Sequence, residues 1–322
     1  MHEFEPIIRS FLEKQTGVEI QIESMGEIAD GPQGYSGALL RYFGVDYAIN
    51  ESRFQRTVII KDASLVERKA YAYLNQLGLS IPAGYASDLT SDDSQPLCLQ
   101  HAGAPLPKGE RLEELALALA ELHVANLGLP ADLAWLPKLD AKYAADFLVD
   151  ACWRSAWESV KNGGDFIDAN GNHHGQPKPG GDFLKAFGHC EEGLEAAAET
   201  FVKTVKMLWD EGDSLTLIHG DLHGDHVYVD DGKVYIIDWG TAMAAPFYLD
   251  LPNVFSRDEA LGYREGLAQL GYVVPEETFL AIYDAIKPFV GFKYFGVGLW
   301  NWCFGDPPHQ PETVMHFIDM IV

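Results

Sequence analysis

Apolar positions follow two regimes along the chain. Ile7, Ile8, Phe11 and Leu12 recur at helical spacing ahead of Gly17, which predicts a first short helix. Strand-like patterns follow. Val18–Ile22 alternates apolar and polar residues, Ala38–Phe43 is a second short run, and Thr57-Val58-Ile59-Ile60-Lys61 is β-branched and ends in a lysine. Leu65–Leu77 returns to a helical pattern, with Ser64 as N-cap and Gly78 as stop. Past Pro82 come two more short strands, the second ending Pro96-Leu97-Cys98-Leu99-Gln100. From there the helical period dominates: Glu110–Leu127, Lys142–Lys161, Phe187–Trp209, and most of the chain after Phe247.

Two segments break the pattern. Gly26–Gly37 is rich in glycine and serine, and Asn162–Gly181 carries six glycines, two prolines and the adjacent His173 and His174. The second predicts a flexible surface insertion with solvated histidines. There is no internal repeat and no heptad. The arrangement is α+β: a small β-rich lobe over 1–101, a connector near 100–106, and a larger α-helical lobe over 102–322.

The whole chain has 322 residues, 47% of them hydrophobic, which excludes a mostly disordered protein. Acidic residues outnumber basic ones 48 to 23, a formal net charge of −25. That balance argues against nucleic acid or an anionic membrane as partner and weakly favours a cationic ligand. Cys98, Cys152, Cys190 and Cys303 are scattered without C-x-x-C spacing, the pattern of reduced thiols in a cytoplasmic protein. The first residues lack a basic stretch followed by an apolar run, and no apolar stretch is long enough to span a bilayer.

The chemistry concentrates between Leu215 and Ala242. An apolar run leads into His219-Gly220-Asp221-Leu222-His223-Gly224-Asp225-His226, then two short strands, Val227–Val229 and Val234–Ile237, joined across Asp230–Lys233, then Asp238-Trp239-Gly240. A hairpin turned at Asp-Gly sets its two ends side by side, so Asp221 and Asp238 flank one small volume. Two carboxylates so placed can divide two tasks: one accepts a proton, the other holds a divalent cation.

His219-Gly220-Asp221 followed by Asp238-Trp239-Gly240 resembles the aminoglycoside phosphotransferase and choline kinase family, small-molecule relatives of protein kinases. That family carries H-G-D-x-x-x-x-N and, after a hairpin of this length, an Asp-led metal motif. Supporting fragments keep the family's order: Lys61 on its strand, Leu97 to Gly103 as an interlobe hinge, Ala118 to His123 as a helix ending in Leu-His, and Leu249-Asp250-Leu251. The resemblance implies a two-lobed protein-kinase-like fold and transfer of the γ-phosphoryl group of ATP, with GTP an alternative donor, to a hydroxyl of a small molecule. It makes Asp221 the catalytic base and Asp238 a Mg²⁺ ligand. It sets Lys61, paired by Glu67, on the phosphates, a turn containing Gly34 and Ser36 around them, and Gln100 to Ala102 against the adenine. The acceptor and the oligomeric state are unspecified.

Three positions depart from the family pattern. Where it carries a metal-binding asparagine, five residues after Asp221, this chain has His226, and imidazole prefers softer metals than Mg²⁺. The turn from Gly31 to Gly37 is spaced G-x-x-G-x-x-G, and Lys69 competes with Glu67 for one helix position. Two rival readings use the same residues. Gly220-Asp221-Leu222-His223-Gly224 and the Asp/His cluster over 221–226 also resemble boxes of metal-dependent hydrolases, whose downstream motifs are missing here. A catalytically weak pseudokinase is the other. A short Asp238-to-Pro246 spacing leaves no long activation loop, which favours a small-molecule acceptor over a protein. His219 and His123 read as structural, and Trp300 to Asp306 reads as core packing, with an ammonium-binding surface as its alternative.

Overall fold

In the computed structural model, which describes residues 3–29, 40–163, 166, 168, 171–175 and 183–322, the chain begins with α1 (Glu5–Thr16). Gly17 ends this helix at φ 71°, its amide closing on the Glu13 carbonyl. There follow β1 (Gln21–Ile28), β2 (Leu40–Ile49), β3 (Ser52–Ala63), α2 (Leu65–Leu77), β4 (Gly84–Ala86), β5 (Gln95–Gln100), β6 (Ala104–Pro105) and α3 (Leu112–Ala125). A helical run α4 (Ala141–Tyr143) widens to π geometry over Ala144–Ser155 and continues as α5 (Ala156–Lys161). Then come α6 (Phe183–Phe187), α7 (Glu191–Glu211), β7 (Leu215–Ile218), β8 (Val227–Asp230), β9 (Lys233–Ile236) and β10 (Met243–Pro246). The chain closes with α8 (Ala260–Gln269), α9 (Glu276–Ile286), α10 (Pro288–Phe304) and α11 (Pro311–Ile321). Two compact units result, one from 1–125 with 221–242, the other from 126–220 with 243–322. Among the described residues no helix is long and apolar enough to cross a membrane.

The first unit is built on an antiparallel sheet in the order β1-β2-β3-β5-β4. Ile8, Phe11 and Leu12 of α1 cluster with Phe43, Val45, Tyr47, Val58, Ile60 and Cys98 from the sheet. Each such side chain contributes about 1.5–3 kcal/mol by leaving water. Because strand side chains alternate, burying Val58 and Ile60 under α1 turns Lys61 to the opposite face. β1 starts at Gln21, later than alternation suggests, and runs to Ile28, so Gly26 lies in a strand opposite Gly44. β3 likewise begins at Ser52, with exposed Ser52 to Arg56 paired along β2. Backbone ladder bonds carry these polar residues into strands that the hydrophobic pattern does not mark.

Helix α2 starts where expected, the Ser64 hydroxyl accepting the Glu67 amide at 3.2 Å. Beside it Arg68 is fully buried; its guanidinium donates to the carbonyls of Ala63, Ser64, Asp88, Ser91 and Asp93, tying the 88–93 loop to the helix. The β8–β9 hairpin turns at Asp231 (φ 46°) and Gly232 (φ 76°), the pair of left-handed residues that a two-residue turn requires. β6 adds a third strand to it. Gly103 (φ 82°) comes so close that a Cβ there would stand 2.2 Å from the Val229 carbonyl oxygen.

The second unit is mostly helical, with β7 and β10 as its antiparallel pair. Helices α10 and α11 meet at glycines: a Cβ on Gly291 would lie 2.4 Å from the Ile321 side chain, and one on Gly298 2.6 Å from Phe317. The expected helix over Phe187–Trp209 is displaced, since Gly188–Cys190 forms a separate turn before α7. Trp302 packs edge-on against Phe183 and Phe187, which makes the C-terminal aromatic stretch core packing at that residue. In the described part of 162–181, Phe166 is buried, its amide bonds the Gly175 carbonyl, and His174 Nε2 lies 3.0 Å from Asp168.

Candidate functional site

Three of the residues singled out by sequence converge within the first unit. The Lys61 ammonium bridges Glu67 Oε1 at 2.8 Å and Asp238 Oδ1 at 2.7 Å. Lys61 and Glu67 are buried, whereas Asp238 keeps 30% of its side chain exposed. β3 carries the lysine, the first turn of α2 carries Glu67, and the end of the β8–β9 hairpin carries Asp238. Glu67 uses its amide for the Ser64 cap and its carboxylate for Lys61, so the residue that starts the helix also fixes the ammonium. Lys69 is not the residue bonded to Lys61.

Electrostatics at this triad oppose one another. Burial pushes the Glu67 carboxyl upward, the Lys61 charge pulls it down, and the neighbouring Asp238 charge raises it again; the net direction is up. For Lys61, burial acts against the ammonium, but Glu67 and Asp238 together outweigh it and hold the group above its ordinary range. Two carboxylates thus clamp one cation.

Asp238 sits at φ 64°, ψ 62°, left-handed backbone that non-glycine residues adopt at a cost of about 1 kcal/mol or more. Aspartate is among the side chains that tolerate it best. The conformation is held from several sides: the Asp238 amide donates to the Tyr71 hydroxyl at 3.3 Å, and buried Trp239 donates its indole N–H to the Ile236 carbonyl at 3.1 Å. Tyr71 is wholly buried, and desolvation, then the Glu67 and Asp238 charges, raise its hydroxyl well above the usual tyrosine range.

His226 links the two ends of the hairpin. Its Nδ1 lies 2.9 Å from the main-chain oxygen of Asp221, and its Nε2 is 3.6 Å from Asp238 Oδ2. A carbonyl only accepts, so Nδ1 carries the hydrogen and, in the neutral ring, Nε2 carries the lone pair. Asp221, His223 and His226 each present a ligand atom within 4.8 Å of the others. The donor set is therefore mixed. Asp221 and Asp238 offer hard oxygen, but the position the family fills with an amide oxygen offers imidazole nitrogen, which does not match the all-oxygen shell that Mg²⁺ prefers.

The remaining expected site residues are spread differently. Gln100 lies at the end of β5 and its amide donates to the Ala83 carbonyl at 2.8 Å, so that amide is committed to the sheet; Ala102 is buried just beyond. Gly34 and Ser36 lie outside the described residues.

In the second unit, buried Asp250 accepts from the amides of His219 at 2.6 Å and Gly220 at 2.8 Å, pinning the backbone that leads to Asp221. Lys293 of α10 donates to the Gly220 carbonyl at 2.7 Å, completing the hold on that residue. Gly220 itself takes φ 75°. Asp250 had a sequence signal in Leu249-Asp250-Leu251. Lys293 and Tyr71 had none: each is one polar group on a helix that reads as ordinary packing.

Comparison with known proteins identifies the architecture. The sequence matches the phosphotransferase enzyme family (APH) over residues 53–281, about seven tenths of the chain. A search of curated proteins finds no match. Among solved structures, the GDP complex of wild-type aminoglycoside 2′-phosphotransferase-IIIa superposes with a TM-score of 0.55 at 14% identity, covering 97% of this chain and 95% of that one. A putative fructosamine-3-kinase from Thermobifida fusca YX-ER1 gives 0.52 at 14% identity, covering 98% of each chain. The AMP-bound complex of a spectinomycin phosphotransferase gives 0.51 at 16% identity, covering 98% and 96%. At such identities the likenesses establish a shared kinase-like fold, five-stranded sheet first and helices after. With that fold and the match over most of its length, the chain belongs to the phosphotransferase enzyme family.

Proposed function

We propose that this protein transfers the γ-phosphoryl group of ATP to a hydroxyl of a small, cationic molecule. The observation that carries this is the Lys61 ammonium held between Glu67 and Asp238 at 2.8 and 2.7 Å. Phosphoryl transfer asks a protein chiefly for positioning and charge neutralisation. A buried lysine fixed by two carboxylates is an aimed point charge for the α- and β-phosphates. In the transfer, the acceptor oxygen bonds to the γ-phosphorus and the bond to the β-bridging oxygen breaks. The acceptor's proton passes to the Asp221 carboxylate, a role worth roughly 10²–10⁴-fold in rate. The family pattern implies Mg²⁺ held by Asp238 and by the residue at position 226. Because His226 is a poor match for that ion, no step here runs through it.

Several further assignments belong to the same proposal. The nucleotide lobe is 1–101 and the catalytic and acceptor lobe 102–322, with Gln100 to Ala102 against the base and the turn holding Gly34 and Ser36 at the phosphates. The similar structures hold GDP in one case and AMP in another, so nucleotide binding is the supported common property and ATP against GTP is for experiment to decide. A net charge of −25 and relatives that include aminoglycoside and spectinomycin phosphotransferases support a cationic acceptor. Scattered cysteines without a disulfide framework support the cytoplasm.

The test is nucleotide-consumption screening with ATP and GTP against aminoglycosides, amino alcohols and amino sugars, followed by Asp221→Asn on the best acceptor. Turnover should fall by at least 10²-fold while nucleotide affinity stays within about threefold. Unchanged turnover in that variant removes Asp221 from the mechanism, and no transfer to any acceptor with either nucleotide overturns the proposal.

A further inference from the structure

The turn Asp221-Leu222-His223-Gly224-Asp225-His226 contains more ligand chemistry than a phosphotransferase needs. His223 makes no contribution to the mechanism above, yet its ring lies 3.9 Å from that of His226 between centroids. Asp221, His223 and His226 together bring three ligand atoms within 4.8 Å of one another. Around a tetrahedral ion with bonds near 2.1 Å, ligand atoms stand about 3.4 Å apart. Closing that difference takes rotation of the His223 and His226 rings, whose side chains are 30% and 15% exposed.

A second observation points to a cation at the same place. The Asp221 carbonyl holds the Nδ1 hydrogen of His226, the kind of outer-shell contact that fixes a ligating histidine's tautomer and aims its Nε2 lone pair. Nε2 faces Asp238 Oδ2 at 3.6 Å. Asp238 already holds the Lys61 ammonium through Oδ1 at 2.7 Å, so the ligand set is Asp221, His223 and His226. His223 Nδ1 accepts the Asp225 amide at a long 3.3 Å, a bond that coordination through that ring would replace or that a proton shift to Nδ1 would release. Two imidazoles and one carboxylate select borderline ions, with Mg²⁺ least suited. Three protein ligands on one short turn also leave an open fourth position.

We infer that the Asp221-x-His223-x-x-His226 turn binds one Zn²⁺ or Co²⁺, and that this ion and phosphoryl transfer exclude one another because both use the Asp221 carboxylate. The first half stands on the turn's own geometry; the second rests on the proposed function. An ion on Asp221 removes the acceptor for the substrate's proton, so rising Zn²⁺ switches transfer off.

The test uses the full-length chain stripped with EDTA, without nucleotide. Zn²⁺ is titrated against a chromophoric chelator, Co²⁺ by its visible absorption, and Mg²⁺ by calorimetry. One equivalent of Zn²⁺ should bind at least 100-fold more tightly than Mg²⁺. His223→Asn and His226→Asn should each weaken it at least tenfold, with circular dichroism and melting confirming that both variants fold. Zn²⁺ affinity equal to that for Mg²⁺, or undiminished in the double variant, overturns the site. In the activity arm, Zn²⁺ should inhibit transfer with the same concentration dependence as it binds, and His223→Asn should shift that inhibition tenfold. Undisturbed transfer with the site saturated overturns the exclusion. Zn²⁺ binding of the expected kind in a protein that transfers phosphate to no acceptor supports the site while overturning the proposed function.

Discussion

Glu67 shows how one residue can serve a helix cap and a buried ion pair together. Removing one partner of a buried ion pair strands the other's charge, typically at about 3–5 kcal/mol. Lys61→Met should destabilise the protein by that order at pH 7, since Glu67 is 3% exposed and Asp238 cannot replace the cation. The pH dependence has a definite sign. Lys61 stands above its ordinary value, so its contribution is complete below about pH 10.4 and is lost as pH rises through the raised value. Glu67 also stands above its ordinary value, so its ionisation as pH rises through that raised value works against the fold; without Lys61 to pull it down it rises further. The Lys61→Met deficit, read from urea unfolding, should therefore be larger at pH 7 than at pH 5. An equal deficit at both would mean that removing Lys61 leaves the ionisation of Glu67 unchanged.

The same residues show what a single position reveals. Lys61, Asp221 and Asp238 stand out because each occupies a place in a spaced motif. Lys293, Tyr71 and Arg68 do not, although each is hydrogen-bonded to main-chain groups far along the chain. Arg68 reads as one more surface arginine of a helix until its five carbonyl partners from two segments are seen. Long-range partners leave no local trace, so positions whose role is to gather them are invisible to spacing.

At the scale of elements, most helices and the β8–β9 hairpin were legible because their signals are local: a serine cap and a stopping glycine for α2, an Asp-Gly turn for the hairpin. The strands were less so. β1 and β3 extend into polar sequence because the ladder bonds of β2 recruit it, and the helix expected over Phe187–Trp209 is interrupted at Gly188–Cys190. The glycines of α10 look alike in sequence but differ in surroundings. A Cβ on Gly298 would lie 2.9 Å from the Thr313 carbonyl as well as against Phe317, whereas one on Gly296 meets only the Cys152 carbonyl at an ordinary 3.6 Å. Alanine favours a helix over glycine by about 1 kcal/mol. Gly296→Ala should thus be neutral or stabilising by up to that amount. Gly298→Ala should destabilise, because overpacking costs about 1–3 kcal/mol. Thermal and urea unfolding of the two variants side by side decide it; the same sign for both would mean that α10 and α11 yield at their crossing.

For the molecule as a whole, charge is the dominant property. With 48 acidic against 23 basic residues, a cationic acceptor is drawn to the protein and a neutral one is not. Screening shortens the reach of that field to about 8 Å at physiological ionic strength. The KM of a cationic acceptor should rise several-fold between about 20 and 300 mM salt, while that of a neutral acceptor stays level. Parallel behaviour of the two would separate the net charge from acceptor choice.

What the sequence determined by itself was a set of residues and their order: a strand lysine, then an Asp-bearing loop, then a hairpin closing on a second aspartate, inside an α+β chain of the phosphotransferase enzyme family. These are read from spacing because covalent geometry ties a turn or a cap to its neighbours. Tertiary structure alone decided that Glu67 rather than Lys69 meets Lys61, that Asp250 and Lys293 hold the residues before Asp221, and that His223 and His226 stand ring to ring beside it. Contacts of that kind join residues far apart in the chain or depend on side-chain direction, and both are settled by packing.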